Sequence, residues 1–296
     1  MSLRIGVLMG GPSEERDVSI STGKSVVKAC IENGFIVTEF SFTKNYKKYL
    51  KPMIEQDIIF NALHGGIGEN GMIQSWLDKN DIKYTGSGAL SSALCMDKAK
   101  SKDIAKGNGV ITPEWQLIQN KEQSLKIKPP FVVKPNEQGS TVGLSIVQND
   151  LEIKLAIEKA FQYGTEIIVE KYISGRELTI PIIGSRVFPI VEIKPLHELY
   201  DYECKYTPGM SDYFCPAELD NSIIRQININ TRLLFEAFGC DVYARADYIL
   251  DDAGNAYFLE MNTLPGMTST SLVPKSAIAT GVTFSELISN IVHLSL

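Results

Sequence analysis

No apolar run in this chain approaches the ~20 residues that a membrane-spanning helix needs. The longest, such as Phe131-Val132-Val133 and Ile167-Ile168-Val169, stop far short of it. Basic residues are not in excess either: 29 Lys and Arg stand against 35 Asp and Glu, a formal charge of -6. That balance excludes a general nucleic-acid-binding surface and leaves room for a local basic pocket around phosphates. Cysteine is scarce and scattered. Cys30, Cys95, Cys204, Cys215 and Cys240 form no C-x-x-C pair, which excludes a disulfide framework and suits a reducing cytoplasm. With 3 histidines in all, and no other near His64 in sequence, a zinc site is not expected. The N-terminal residues lack the apolar stretch of a signal peptide, and repeats and low-complexity tracts are missing. What is present is an ordinary globular composition, 44% hydrophobic and 22% charged, over 296 residues, enough for two or three compact domains.

Strand-like runs at Arg4 to Met9, Phe35 to Phe42 and Asp57 to Leu63 alternate with helix-like segments, as in parallel α/β units. Gly10-Gly11 and His64-Gly65-Gly66 follow strands and therefore belong to one sheet edge, where such folds bind ligands. A second domain is expected from about Gly88, with strands at Phe131 to Lys134, Leu144 to Val147 and Glu166 to Glu170. Between the last two, Asn149-Asp150 caps a helix with Leu151, Leu155 and Phe161 on its apolar side. From Glu177 a mixed α+β unit follows, with an unstructured polar loop from Leu199 to Glu218 and a helix through Ile223 to Phe238. The expected division is 1–88, 89–176 and 177–296.

The segment Val242 to Asn262 reads as a β-hairpin. Side chains alternate with period two, so Arg245 and Asp247 share a face, as do Glu260 and Asn262. A loop Asp252 to Asn255 sets Asp247 opposite Glu260 and Arg245 opposite Asn262. These oxygen donors suit Mg²⁺ with nucleotide phosphates, and Arg245 suits phosphoryl oxygens; the plainer alternative is a solvated face with a cross-strand ion pair. The hydroxyl-rich continuation Thr263 to Ser271 offers donors for an oxyanion or carboxylate. Lys134 ends a strand, and a glycine-containing loop, Pro135 to Gly143, leads to the next strand rather than to a helix. A Walker A motif is absent, although a hairpin loop of this kind can cover phosphates. Gly66-Ile67-Gly68-Glu69-Asn70-Gly71 is a literal G-x-G-x-x-G, but it follows the third strand and lacks the acidic residue about 20 positions on that a dinucleotide site needs.

Together, Gly10 to Ser19, Leu63-His64-Gly65, Met96-Asp97-Lys98, Val133-Lys134-Pro135, Gly139 to Gly143, Glu170-Lys171-Tyr172, Lys205-Tyr206, Arg245-Ala246-Asp247 and Glu260 to Ser269 resemble, in order, the D-alanine:D-alanine ligases of the ATP-grasp superfamily. The resemblance implies an α/β fold, α+β in its later parts: a Rossmann-like parallel sheet and two ATP-grasp domains that sandwich the nucleotide. It implies that Lys98, Lys134, Lys171, Glu177 and Lys205 surround ATP, with Glu170 and Lys171 near the adenine. It implies two Mg²⁺ or Mn²⁺ on Asp247, Glu260 and Asn262. It implies that Glu15 meets the ammonium of the first D-alanine, beside His64. It implies that a network of Glu15, Ser140 and Tyr206 ties the first domain to the Lys205 loop; that polar loop, which also carries Asp201 and Pro208, is expected to be a lid. It implies further that Arg245 and the Gly266 N–H stabilise the tetrahedral intermediate and that Ser271 receives the second carboxylate. The implied product is D-alanyl-D-alanine for peptidoglycan precursors, made through an acyl phosphate by a cytoplasmic homodimer, with no nucleic-acid or membrane partner.

Plainer roles exist for several of these residues. Glu15 can simply favour a helix dipole, Ser140 can turn its loop, and the Lys98, Lys100 and Lys102 helix can be a solvated face. Thr270 departs from the family, where histidine is frequent, so the second subsite can differ. By analogy with related ligases that make D-alanyl-D-lactate, where Phe or His is frequent at this position, Tyr206 implies an amine as second nucleophile. The alternative reading is a ligase for D-lactate, D-serine or another amino acid.

Overall fold

The computed structural model describes residues 2–197, 200, 202–207 and 209–296, the side chains of Tyr202 and Tyr206 excepted. Its strands form three sheets. In the first, β1 (Arg4–Gly10) lies between β2 (Ile36–Phe42) and β3 (Ile58–Asn61), all parallel. Parallel sheets are covered on both faces, which explains the unbroken burial of β1 from Ile5 onward. Helix α1 (Arg16–Glu32) packs Val26, Val27 and Cys30 against Val7 and Met9 on one face, while α2 (Leu50–Ile54) and α3 (Met72–Asp78) supply Met53, Ile73 and Leu77 to the other. The expected common edge is present, because β1 and β3 run in the same direction into Gly10-Gly11 and the His64 segment.

Helices α4 (Ala89–Met96) and α5 (Lys98–Gly107) lead to an antiparallel sheet, ordered β4-β7-β5-β6, of β4 (Trp115–Ile118), β5 (Phe131–Pro135), β6 (Ser145–Val147) and β7 (Ile167–Lys171). Helix α6 (Ile153–Ala160) packs on it, with a face that differs from expectation. Leu151 and Leu155 are 91% and 72% exposed. The stripe Ile153, Ala156, Ile157, Ala160 follows the i, i+3, i+4, i+7 spacing and faces the core instead. Asn149 does accept a cap, but from Leu151 at the head of a short 3₁₀ turn that precedes the helix.

The third sheet, ordered β11-β10-β8-β12-β13 with β9 on β8, comprises β8 (Arg176–Ile183), β9 (Arg186–Val187), β10 (Val191–Pro195), β11 (Ser211–Phe214), β12 (Tyr243–Leu250) and β13 (Ala256–Asn262). The segment expected to be an unstructured loop thus contributes an edge strand and, before it, the short α7 (Tyr202–Tyr206). Its period-two signal is faint because Asp212 and Phe214 face outward while Tyr213 faces in. Asp201 and Pro208, expected lid residues, lie outside the described residues, as does the side chain of Tyr206. Helix α8 (Asn221–Ala237) covers the sheet with Ile227 and Leu234. After α9 (Leu272–Ile278), α10 (Phe284–Leu294) opens on a capping box between Thr283 and Glu286 and packs Leu287, Ile288 and Ile291 into the same core as α1 and β1. The chain's last helix therefore returns to its first sheet. No helix among the described residues is long and apolar enough to cross a membrane.

Candidate active site

Strands β12 and β13 pair with Asp247 opposite Glu260 and Arg245 opposite Asn262. The route to that register is not the one expected. The turn is tighter: Asp251 N–H donates to Asn255 O at 3.0 Å, closing a loop of Asp252 to Gly254 with Gly254 at φ +85°. The register near the turn is consequently offset by one residue, and a bulge beside Asp247 restores it. Leu259 is the extra residue. Because a bulge breaks the alternation, Leu259 and Glu260 both line the same cleft.

On β12 the Arg245 guanidinium donates to both Asp247 oxygens, at 2.9 and 2.7 Å, and Thr179 Oγ1 of β8 donates to Asp247 Oδ1 at 2.5 Å. Despite desolvation by burial, Asp247, followed by Glu260, holds the arginine firmly charged. Lys98 Nζ stands 3.5 Å from Glu260, and that carboxyl, despite desolvation, is held down to about 2 by Lys98, Lys134, Lys205 and Arg245. Glu177 behaves oppositely: desolvation, with Asp247 and Glu260 nearby, pushes it up to about 7 even though Lys205 opposes the shift. Asn262 Oδ1 accepts the Leu264 N–H at 2.9 Å and keeps a second lone pair.

The lysines are set by a reciprocal clasp. Asp97 caps α5 by accepting from the Lys100 N–H at 3.1 Å, and Asn136, just past β5, donates to Asp97 Oδ1 at 2.9 Å. Asn136 Oδ1 in turn accepts the Ala99 N–H at 2.9 Å. This fixes the start of α5 against the end of β5 and brings Lys98 beside Lys134. Lys134 Nζ lies 2.5 Å from Glu170 Oε1 on β7, and Lys102 Nζ lies 2.6 Å from the other oxygen. The solvated-helix alternative holds for Lys100 alone; Lys98 is 5% and Lys102 0% exposed. Lys171 is exposed at the cleft rim.

Across the cleft, Glu15 heads α1 beside the His64 segment. Ser13 Oγ donates to His64 O at 2.6 Å, His64 Nε2 meets Thr22 Oγ1 at 3.0 Å, and Glu69 Oε1 accepts the Gly65 N–H at 3.0 Å. Gly65 has φ +64°, and a Cβ there would sit 2.6 Å from Glu15 Oε2, so only glycine lets this turn approach the carboxylate. Burial, then Glu69, raises the Glu15 carboxyl, while a hydrogen bond from Ser140 lowers it. Ser140 and Thr141 both have positive φ, +50° and +63°. Thr141 Oγ1 donates to Tyr200 O at 3.0 Å and receives Lys205 Nζ at 3.2 Å. The 139–143 loop thus joins α1 to the segment preceding β11. Ser271 Oγ accepts the Thr268 N–H at 3.0 Å near Gly266, and Thr270 stands 3.2 Å from Thr268, hydroxyl to hydroxyl.

These groups line two adjoining clefts. One, about 420 Å³, holds Glu15, His64, Asn262, Gly266 and Ser271; the other, about 170 Å³, holds Lys134, Glu170, Lys171, Glu177 and Asp247 between apolar walls that include Val142, Leu144 and Leu259. Lys98, Ser140, Lys205, Arg245 and Glu260 line both. Residues 103–293 match the family model described as D-ala D-ala ligase C-terminus. A D-alanine–D-alanine ligase of Syntrophotalea carbinolica is 40% identical over 290 residues, covering 97% of this chain and 94% of that protein.

The chain belongs to the D-alanine–D-alanine ligase family.

Its fold agrees. The crystal structure of the D-alanine–D-alanine ligase from Bacillus anthracis matches with a TM-score of 0.90 at 37% identity, over 99% of this chain and 97% of that one. The same enzyme complexed with ATP gives 0.87, over 100% and 97%. VanG D-Ala:D-Ser ligase from Enterococcus faecalis gives 0.86 at 27% identity, with both chains covered in full. With its parallel sheet followed by two antiparallel ones, the chain has the ATP-grasp fold of these ligases, and this ligase uses ATP. The Gly66-to-Gly71 match to a dinucleotide fingerprint has another cause: a Cβ at Gly71 would meet Ala89 O at 2.3 Å, so packing requires the glycine.

Sequence reasoning missed four of the ligase's cleft residues or their supports. Glu69 sits inside the glycine-rich match and was passed over with it. Thr179 and Leu259 are ordinary strand residues whose importance comes from register. Lys102 was hidden by its lysine neighbours; its spacing of four from Lys98 was the available signal, since it puts both on one helix face.

Proposed function

We propose that this ligase couples two molecules of D-alanine with ATP, giving D-alanyl-D-alanine, ADP and phosphate through a D-alanyl phosphate. The observation that carries this reading is the charged wall common to both clefts, Lys98, Lys205, Arg245 and Glu260. It lies where a phosphoryl group held from one side and a carboxylate held from the other would meet. In this reading Lys134, Lys171, Glu170 and Glu177 surround the nucleotide, whose base lies between the apolar walls. Glu15 takes the ammonium of the first D-alanine beside His64, and Ser271 takes the carboxylate of the second.

A carboxylate oxygen of the first D-alanine attacks the γ-phosphorus, and the bond to the β–γ bridging oxygen breaks, releasing ADP. The second amine, once deprotonated, adds to the acyl carbon. Arg245 and the Gly266 N–H oppose the charge on the resulting oxyanion, and phosphate leaves with the carboxylate oxygen that attacked. Positioning and charge neutralisation suffice, and no enzyme nucleophile is needed. Ser140 with Glu15, and Thr141 with Lys205, hold the segment bearing Lys205 over the clefts as a lid that excludes water from the acyl phosphate.

Among the described residues no three His, Cys, Asp or Glu side chains cluster as a metal cage. Two carboxylates and an amide oxygen instead suit Mg²⁺ or Mn²⁺, which takes its remaining ligands from phosphates and water. Asp247, Glu260 and Asn262 would hold two such ions, which when bound neutralise phosphate charge. The further parts of the reading are the division into domains 1–88, 89–176 and 177–296, a cytoplasmic homodimer, and supply of the dipeptide to peptidoglycan precursors.

The test uses D-alanine labelled with ¹⁸O in its carboxylate. One ¹⁸O should appear in each phosphate released, and D-alanyl-D-alanine should be the product; unlabelled phosphate rules out the acyl phosphate. Faster ADP release with D-alanine plus D-serine or D-lactate than with D-alanine alone would overturn the choice of second substrate.

A further inference from the structure

Lys102 reaches neither cleft. It is 0% exposed, yet it ends in a cluster that the nucleotide reading depends on. Its Nζ lies 2.6 Å from Glu170 Oε2 and 2.9 Å from Thr112 Oγ1, and Thr112 donates onward to Phe258 O of β13 at 2.9 Å. Glu170 Oε1 holds Lys134 Nζ at 2.5 Å. One carboxylate therefore stands between two ammonium groups, one facing the cleft and one sealed behind it. A lysine placed here only to tie α5 to β7 and β13 would be a costly choice, since apolar residues of similar size pack such a position at least as stably.

The charge balance supplies a reason. Lys134 with Glu170 alone is a neutral pair, whose attraction for an approaching anion is largely cancelled. With Lys102 the cluster carries one net positive charge, and the only ammonium of the cluster exposed to the cleft is Lys134.

We propose that Lys102 is a positioning residue for the nucleotide phosphates: it holds Glu170 from behind and supplies the charge that leaves Lys134 a net cation toward them. The inference rests on the nucleotide reading of the smaller cleft. Burial pushes the Lys102 ammonium down to about 8, and the two lysines hold Glu170, despite its burial, down to about 2, so the cluster is charged at neutral pH.

The experiment compares wild type, Lys102→Met, Lys102→Arg, Glu170→Gln and the double variant Lys102→Met/Glu170→Gln. It measures KM for ATP and for D-alanine, kcat, and inhibition by ADP and by adenosine. Lys102→Met should raise KM for ATP and the inhibition constant of ADP about tenfold, leave adenosine and D-alanine within about twofold, and be largely rescued by Lys102→Arg. In the Glu170→Gln background, where the buried Lys102 has lost the carboxylate that keeps it charged, Lys102→Met should cost less than about twofold. This double variant contains no unpaired buried carboxylate, so it keeps the test open if Lys102→Met alone does not fold. Equal losses for adenosine and ADP, or the same loss with and without Glu170, would overturn the proposal. Failure of wild type to bind ATP or ADP would instead overturn the nucleotide reading itself.

Discussion

The 139–143 loop offers the sharpest test of how the site is held together. Ser140 and Thr141 occupy the left-handed region, at φ +50° and +63°, where non-glycine residues are disfavoured by roughly 1–2 kcal/mol each. Something must hold them, and at Ser140 it is the hydrogen bond to the buried carboxylate of Glu15, 125 residues away. A hydrogen bond to a charged group contributes about 1.5–3 kcal/mol. Ser140→Ala keeps the strain and loses the bond, so loop docking should weaken by about 2 kcal/mol, close to thirtyfold in kcat/KM for D-alanine at saturating ATP. Steady-state ADP release would measure it, in a cycle with Glu15→Gln and the double variant. The coupling energy should be about 2 kcal/mol, because neither partner alone retains the contact. The bond from Ser140 also lowers the Glu15 pKa, so its loss lets burial and Glu69 raise that carboxyl further. The acid limb of the kcat/KM profile should therefore move to higher pH. Additivity within about 0.5 kcal/mol, or an unmoved acid limb, would refute the reasoning.

Three further outcomes are expected. Asp247→Asn leaves the Arg245 charge without its bidentate partner in a site where both side chains are 15% exposed; urea unfolding should show a loss of about 3–5 kcal/mol, with ATP turnover abolished. Gly65→Ala places a methyl 2.6 Å from Glu15 Oε2 at φ +64°, so KM for D-alanine should rise at least tenfold while KM for ATP changes little, as initial rates will show. Glu177 has a folded pKa of about 7 against an ordinary 4.5, so the folded state holds the extra proton and stability falls as pH rises through that window. Glu177→Gln should therefore gain up to about 3 kcal/mol over wild type in urea at pH 8, with the gap closing below about pH 4.5. An unchanged gap across that range would contradict the assignment.

The hairpin shows how a correct pairing can rest on an incorrect turn. A loop of four residues was expected from Asp252 to Asn255, and it aligned Asp247 with Glu260. The loop has one residue fewer, and the bulge at Leu259 takes up the difference. Loop composition signals a turn but does not choose between neighbouring lengths, because Asp, Gly and Asn suit several turn types. Strand β11 is unreadable in the sequence for a related reason: its inward side chains alternate with outward Asp212 and Phe214, one of them apolar, and an edge strand needs few apolar contacts.

By itself the sequence determined the local chemistry: parallel α/β periodicity at the start, a strand ending in Lys134, and a hairpin face carrying Arg245, Asp247, Glu260 and Asn262. These follow from residue type and from periods of 2 and 3.6, which any short segment carries within it. Only the tertiary structure decided which charges meet. Lys98, Lys100 and Lys102 are alike in sequence, yet one faces both clefts, one faces solvent, and one is sealed behind Glu170. Their difference arises from the Asp97–Asn136 clasp and from β7 and β13 closing over α5. Burial and ion pairing are properties of neighbours distant in the chain, and no local pattern encodes them.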